Sequence, residues 1–173
     1  MNPSYTFSGA TADDIPALLI LVNSAYRGES SRVGWTTEAD LLDGIRTDEA
    51  SLQAMIEKLH ATVLLCKGED DALAGCVYLE QLGTSLYLGM LTVSPHLQAQ
   101  GLGKQLLCAA EDEARSRGCT AIKMTVISIR NELIAWYERH GYAKTGETEP
   151  FPTEERFGIP KQKLEFVVMR KEL

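Results

Sequence analysis

The chain has 173 residues, 45% hydrophobic and 24% charged, a length and balance that suit one globular domain with a substantial buried core. Its formal net charge of −7 argues against nucleic-acid binding, which depends on clustered Lys and Arg, and mildly favours cationic small molecules such as amines. No apolar run approaches the ~18 residues of a membrane span, and the start of the chain lacks a basic-then-apolar leader, so a cytoplasmic protein without a membrane partner is expected.

Along the chain, Tyr5 to Ala10 reads as a short strand. Thr11 opens a helix with Asp13 and Asp14 in its first turn, where negative charge suits the helix dipole, and Leu18, Leu19 and Val22 form its apolar stripe. From Arg27 to Asp48, glycines, hydroxyls and both charge signs indicate a loop, with a helix starting near Thr37, where Thr37-x-x-Asp40 resembles a capping box. A second helix is expected from about Glu49 to Leu59. The periodicity then switches to the short apolar runs Thr62–Cys66, Leu73–Leu79 and Leu86–Val93, apolar on both faces as strands covered by helices on each side would be. Gly101 to Arg117 reads as a helix closed by Gly118, Thr120 to Val126 as a strand, Asn131 to His140 as a helix, and Lys163 to Arg170 as a final strand. The order β-α-α-β-β-β-α-β-α-β-β predicts a single α/β or α+β domain over residues 1–173 with a mixed sheet. Cys66, Cys76, Cys108 and Cys119 contain no Cys-x-x-Cys pair and read as free buried thiols, while His60, His96 and His140 lack ligand spacing, so no metal is expected.

The stretch Leu91-Thr92-Val93-Ser94-Pro95-His96-Leu97-Gln98-Ala99-Gln100-Gly101-Leu102-Gly103-Lys104 feeds a buried strand into a loop whose glycines open a long helix. Unpaired N–H groups at such a helix start favour a phosphate, and Gly101 and Gly103 let oxygen atoms approach the main chain. A Rossmann fingerprint fails because Leu106 stands where a third glycine is needed. A P-loop fails because Gln98 replaces its first glycine and Gln105 its Ser or Thr.

Gln98-x-x-Gly101-x-Gly103 instead resembles the pyrophosphate-binding signature of GNAT acetyltransferases, and Leu91-x-Val93-x-Pro95 precedes it as in that superfamily. Asn131-Glu132-Leu133-Ile134-Ala135-Trp136-Tyr137-Glu138-Arg139-His140-Gly141-Tyr142 is similar to the family's second signature. The resemblance implies a mostly antiparallel sheet of about seven strands flanked by helices and splayed beside the strand ending at Val93. It also implies acetyl-CoA as cosubstrate, with main-chain groups of Leu91, Thr92 and Val93 on the pantetheine and thioester, and a backbone N–H stabilising the oxyanion. The loop from Gln98 through Ala99, Gln100, Gly101, Leu102 and Gly103 to Lys104 would hold the pyrophosphate, Asn131 the pantetheine arm, and Tyr137 would protonate the departing thiolate.

For the general base the resemblance leaves alternatives open. Tyr87 occupies a common carboxylate position, Glu80 is the nearest carboxylate, and Glu29, Glu38 or water are others. Acceptor specificity is expected from Arg27 to Arg46 and from Thr148 to Lys161, with Trp35 and Phe157 as candidate walls and Arg32 or Glu29 reading a charged substrate. The expected reaction is acetyl transfer to a primary amine, small molecule or peptide, by direct attack in a ternary complex. The alternative is a catalytically idle acyl-CoA-binding regulatory module. A homodimer, and an acyl group longer than acetyl, both stay open.

Overall fold

The computed structural model describes residues 3–27, 29–34, 36–152 and 158–173. Trp35 and Phe157, expected to wall the acceptor site, lie outside the described residues, as does the Glu29 side chain. Seven strands form one sheet in the order β1 (Thr6–Gly9), β3 (Ala61–Lys67), β4 (Leu73–Leu82), β5 (Ser85–Val93), β6 (Ala121–Ile127), β9 (Glu165–Glu172) and β7 (Ala143–Pro150). All neighbours are antiparallel except β5 and β6, which are parallel and joined by the crossover helix α3 (Leu102–Ser116). A two-stranded ribbon of β2 (Leu42–Asp43) and β8 (Ile159–Pro160) stands apart.

Helices cover both faces, which is why β4 is buried along most of its length. On one face α1 (Ile15–Tyr26) and α2 (Glu49–Glu57) press Leu18, Val22 and Leu52 onto Val63, Leu65 and Cys76. On the other, α3 and α4 (Asn131–Arg139) bring Leu102, Leu106, Ala110 and Ile134 onto Val77, Leu79, Ile122 and Met169. The chain start runs as expected, except that Thr11 and Asp14 cap a 3-10 turn (Ala12–Asp14) before α1 begins. Asp48 caps α2 by accepting from the Ser51 amide at 2.7 Å.

The helix expected near Thr37 does not form. Thr37 instead bonds the Ser31 hydroxyl and the Ala39 amide, and the chain from Glu29 to Val33 is a 3-10 turn. The competing interaction is tertiary: Glu38 is buried between Arg27 and Arg130, 2.9 Å and 3.1 Å away, which fixes the segment as an arm across the sheet's end. Cys66, Cys76 and Cys119 are buried free thiols, but Cys108 is exposed on α3, so the reading of four buried thiols is corrected there.

Two features position the site. Strands β5 and β6 pair only from Ser85–Tyr87 to Ala121–Lys123, after which β5 follows β4 and β6 follows β9, leaving a wedge-shaped opening. Within β5 the register shifts, so that Met90 and Leu91 together oppose Val77, and Met90 adopts φ 52°. This is a β-bulge, which bends the strand and turns its end outward.

Candidate active site

Two cavities meet in the wedge. The first, about 380 Å³, runs from the Gln98–Lys104 loop to Tyr137, and the second, about 400 Å³, lies on the side of Tyr78 and Phe166. Tyr26, Leu91, Arg130, Leu133 and Tyr137 line both.

The first cavity fits a phosphate-bearing extended molecule. Gly101 begins α3 at φ 87°, a left-handed conformation that glycine adopts without steric cost, and a Cβ built on it meets nothing within 4 Å. The first backbone bond of α3 runs from the Gln105 amide to the Gly101 carbonyl, so the amides at the helix start face outward as donors for an anion. Ala99 shares the unusual backbone, at φ 61°. The described lining contains Lys104, Arg130 and Arg139 and no Asp or Glu, a reversal of the chain's −7 balance. Further in, the Ser94 amide bonds the Ala74 carbonyl, and by strand alternation the polar groups of Val93 and Leu91 turn away from β4 into the wedge. Their carbonyls accept from the Gln98 Nε2 at 3.1 Å and the Tyr26 hydroxyl at 2.6 Å. Side chains thus cover a strand edge that an added strand would otherwise take.

The expected cofactor residues divide by position. Leu91, Thr92, Val93, Gln98, Ala99, Gly101, Gly103, Lys104 and Tyr137 all line the first cavity. Leu102 is turned into the core at 2% exposure, and Gln100 is exposed, its amide donating to the His96 carbonyl. Gln98 faces inward and also accepts from the Thr36 amide at 3.3 Å, tying the arm to the loop. Gly103 leaves room for the Trp136 indole, which would stand 3.2 Å from a Cβ there. Asn131 is exposed at the start of α4 and lines neither cavity. Its neighbour Arg130 faces in instead, donating to Glu38 and to the Thr36 hydroxyl.

Tyr137 is 5% exposed, and its hydroxyl makes no hydrogen bond among the described residues. Burial first, and the neighbouring Tyr26 second, push its pKa above the ordinary phenol range, so it stays protonated. Of the candidate bases, Glu38 has both oxygens engaged by arginines. Tyr87 lies along β5 over Gly89 and lines the second cavity. Glu80 lines neither cavity: Lys58 stands 2.7 Å from one oxygen, and the Tyr78 hydroxyl donates to the other at 2.8 Å. The Lys58 bond holds the Glu80 carboxyl below its usual range. Tyr78 does line the second cavity, so Glu80 stands one residue behind its wall. Arg32 is paired with Asp40 at 2.7 Å on the surface.

Tyr26 and Arg130 are lining residues that pattern reading passed over, and Arg46 was reached only as the end of the Arg27 to Arg46 acceptor segment. For Arg130 a signal exists: Arg130, Ile134 and Tyr137 fall at i, i+4 and i+7, one helix face, and Asn131 does not.

A wedge-splayed sheet with a glycine-opened anion loop at its mouth is the arrangement that the GNAT resemblance implies, and comparison agrees. The acetyltransferase (GNAT) family model matches residues 29–142, and the chain belongs to that family. An acetyltransferase of Agrobacterium fabrum is 30% identical over 84 residues, 49% of this chain and 60% of its own length. Mycothiol acetyltransferase of Clavibacter sepedonicus is 28% identical over 142 residues, 82% of this chain and 44% of that protein. The fold matches the Escherichia coli ribosomal-protein-S18-alanine N-acetyltransferase with TM-score 0.71 at 18% identity, covering 98% of this chain and 94% of that one. It also matches a Thermoplasma acidophilum N-acetyltransferase in complex with coenzyme A, with TM-score 0.70 at 17% identity over 98% and 99% of the two chains. No described group of three or more His, Cys, Asp or Glu residues could hold a metal, and no described helix is long and apolar enough to cross a membrane.

Proposed function

We propose that this chain moves an acetyl group from acetyl-CoA to a primary amine by direct attack in a ternary complex. The observation that carries the reading is the meeting of two cavities at Tyr137, one with an acid-free cationic lining and the other opening on the opposite side of the wedge. An idle acyl-CoA-binding module would have no use for the second cavity.

Acetyl-CoA supplies an activated acyl carbon on a thiolate leaving group. The loop amides with Lys104 hold its pyrophosphate, the end of β5 aligns its extended arm, and Arg130 makes the polar contact expected of Asn131. The amine nitrogen approaches from the second cavity, and the new N–C bond forms as the C–S bond breaks. Tyr137 gives its proton to the sulfur. The ammonium sheds two protons overall: one restores Tyr137, and one leaves to solvent by way of the Tyr78 hydroxyl and Glu80, which are already hydrogen-bonded.

Tyr137→Phe keeps the ring and its packing while removing the hydroxyl. Thiol release with the best acceptor of a primary-amine panel should fall about ten- to a thousandfold, with acetyl-CoA affinity unchanged. Turnover equal to the parent, with chemistry limiting the rate, removes Tyr137 as the acid.

A further inference from the structure

The amine-acetyltransferase reading leaves the acceptor unspecified, and the second cavity narrows it; the inference below rests on that reading. Arg46, on the link between β2 and α2, is half-buried and lines this cavity. Its guanidinium carbon lies 5.2 Å from the centre of the Tyr26 ring, and Tyr26 in turn reaches the Leu91 carbonyl at the reacting end of β5. Among the described residues, no carboxylate lies within 4 Å of the Arg46 guanidinium and no hydrogen bond leaves it. An arginine on a cavity wall with no protein acceptor has its five donors open to a ligand.

The described surroundings of Arg46 supply no such acceptor. The other cations of the lining, Arg27 and Arg130, share Glu38 between them, and Glu38 has no oxygen left over. Buried Arg130 keeps a further donor, Nε, without a hydrogen-bond acceptor. The remaining carboxylate among the described lining residues, Glu149 on β7, is exposed. Among the described lining residues, three arginines against two carboxylates leave a formal charge of about +1, although the chain as a whole carries −7. Polyamines and lysine-rich peptides are therefore poor occupants. A volume of about 400 Å³ walled by Met55, Tyr78, Phe151 and Phe166 holds a compact molecule with an apolar body.

We infer that the acceptor is a small amine that also carries a carboxylate, an amino acid in the broad sense, and that Arg46 reads this carboxylate. The planar guanidinium fork matches the two oxygens, and its carbon lies over the Tyr26 ring, 5.2 Å from the centre. A phosphonate would satisfy the same fork, so the test separates the two anions.

Initial rates of thiol release are measured for matched amines bearing a carboxylate, its neutral amide, or a phosphonate, and for a polyamine and a short peptide. The parent should prefer the carboxylate over its amide by at least about tenfold in kcat/KM. Arg46→Met should erase that preference, chiefly by raising the KM of the carboxylate-bearing acceptor, and Arg46→Lys should restore part of it. A preference surviving in Arg46→Met, or a parent that favours the phosphonate, the polyamine, the peptide or the amide, overturns the inference. A second readout needs no turnover: binding of an N-acetyl amino acid to the CoA-loaded protein should be lost in Arg46→Met. Equal binding to both proteins also overturns it. If no amine is acetylated while this binding difference is present, the transferase reading fails and the Arg46 site stands.

Discussion

A Cβ built on Gly75 would stand 2.7 Å from the Thr92 carbonyl oxygen and 2.9 Å from Leu106 Cδ1. Gly75 pairs with Val93, so this contact lies at the end of β5 where the wedge opens. The oxygen belongs to the backbone of a paired strand and cannot turn aside as a side chain would. Gly75→Ala should therefore lower stability by about 1–3 kcal/mol, the usual cost of overpacking, read as a fall in the urea midpoint. An unchanged midpoint would mean that the strands are not packed this closely. Nothing in the sequence marks Gly75 apart from other strand glycines, because the reason for it is an atom on another strand. The glycine-opened start of α3 was legible for the opposite reason: Gly101 carries its left-handed φ in local backbone geometry, whereas Gly103 makes room for Trp136 and Gln98 answers to Val93 and Thr36. The step from Asn131 to Arg130 lies between these cases, since helical spacing from Tyr137 selects Arg130 once the buried face is known.

At the level of elements, apolar runs located β3, β4, β5 and β6, and glycine-bounded apolar stripes located α3 and α4. The splay beside Val93 followed from the family resemblance, and the structure adds its local cause, the bulge at Met90 and Leu91. The arm was misread because its capping pattern at Thr37 is local, whereas the Arg27–Glu38–Arg130 network spans 92 residues between Glu38 and Arg130. A buried ion pair of this kind is costly to break, since losing one partner strands a charge. Glu38→Gln should accordingly loosen the arm from Gln98 and Arg130, and protease cleavage between Glu29 and Arg46 should become faster than in the parent. Equal cleavage would show that Glu38 does not hold the arm.

On the scale of the whole molecule, buried acids of high pKa set an alkaline limit. Burial raises the Cys66 thiol from 9.0 to about 11 and the Cys76 thiol from 9.0 to about 12. Tyr26, Tyr137 and Tyr142 are raised above 10.0, each chiefly by burial. Below pH 9.0 both the folded and the unfolded chain hold these protons, and no stability depends on them. Above it the unfolded chain releases protons that the folded chain keeps, so stability falls as pH rises, by up to ~1.4 kcal/mol per pH unit for each such group. Urea midpoints should start to drop near pH 9.0 and keep dropping towards about pH 11, and a flat profile would contradict the burial of these groups.

The central claim is that the loop opening α3 and the wedge beside β5 hold acetyl-CoA. Gly101→Asp places a carboxylate in the open space beyond the loop, and Asp tolerates the left-handed backbone better than most residues, so the fold should survive. Calorimetric titration of acetyl-CoA into the two proteins is the direct measurement. The account predicts saturable binding to the parent and an affinity at least about a hundredfold weaker in folded Gly101→Asp, through charge repulsion at the pyrophosphate. A parent that does not bind acetyl-CoA, or a folded Gly101→Asp that binds it equally well, would contradict the account.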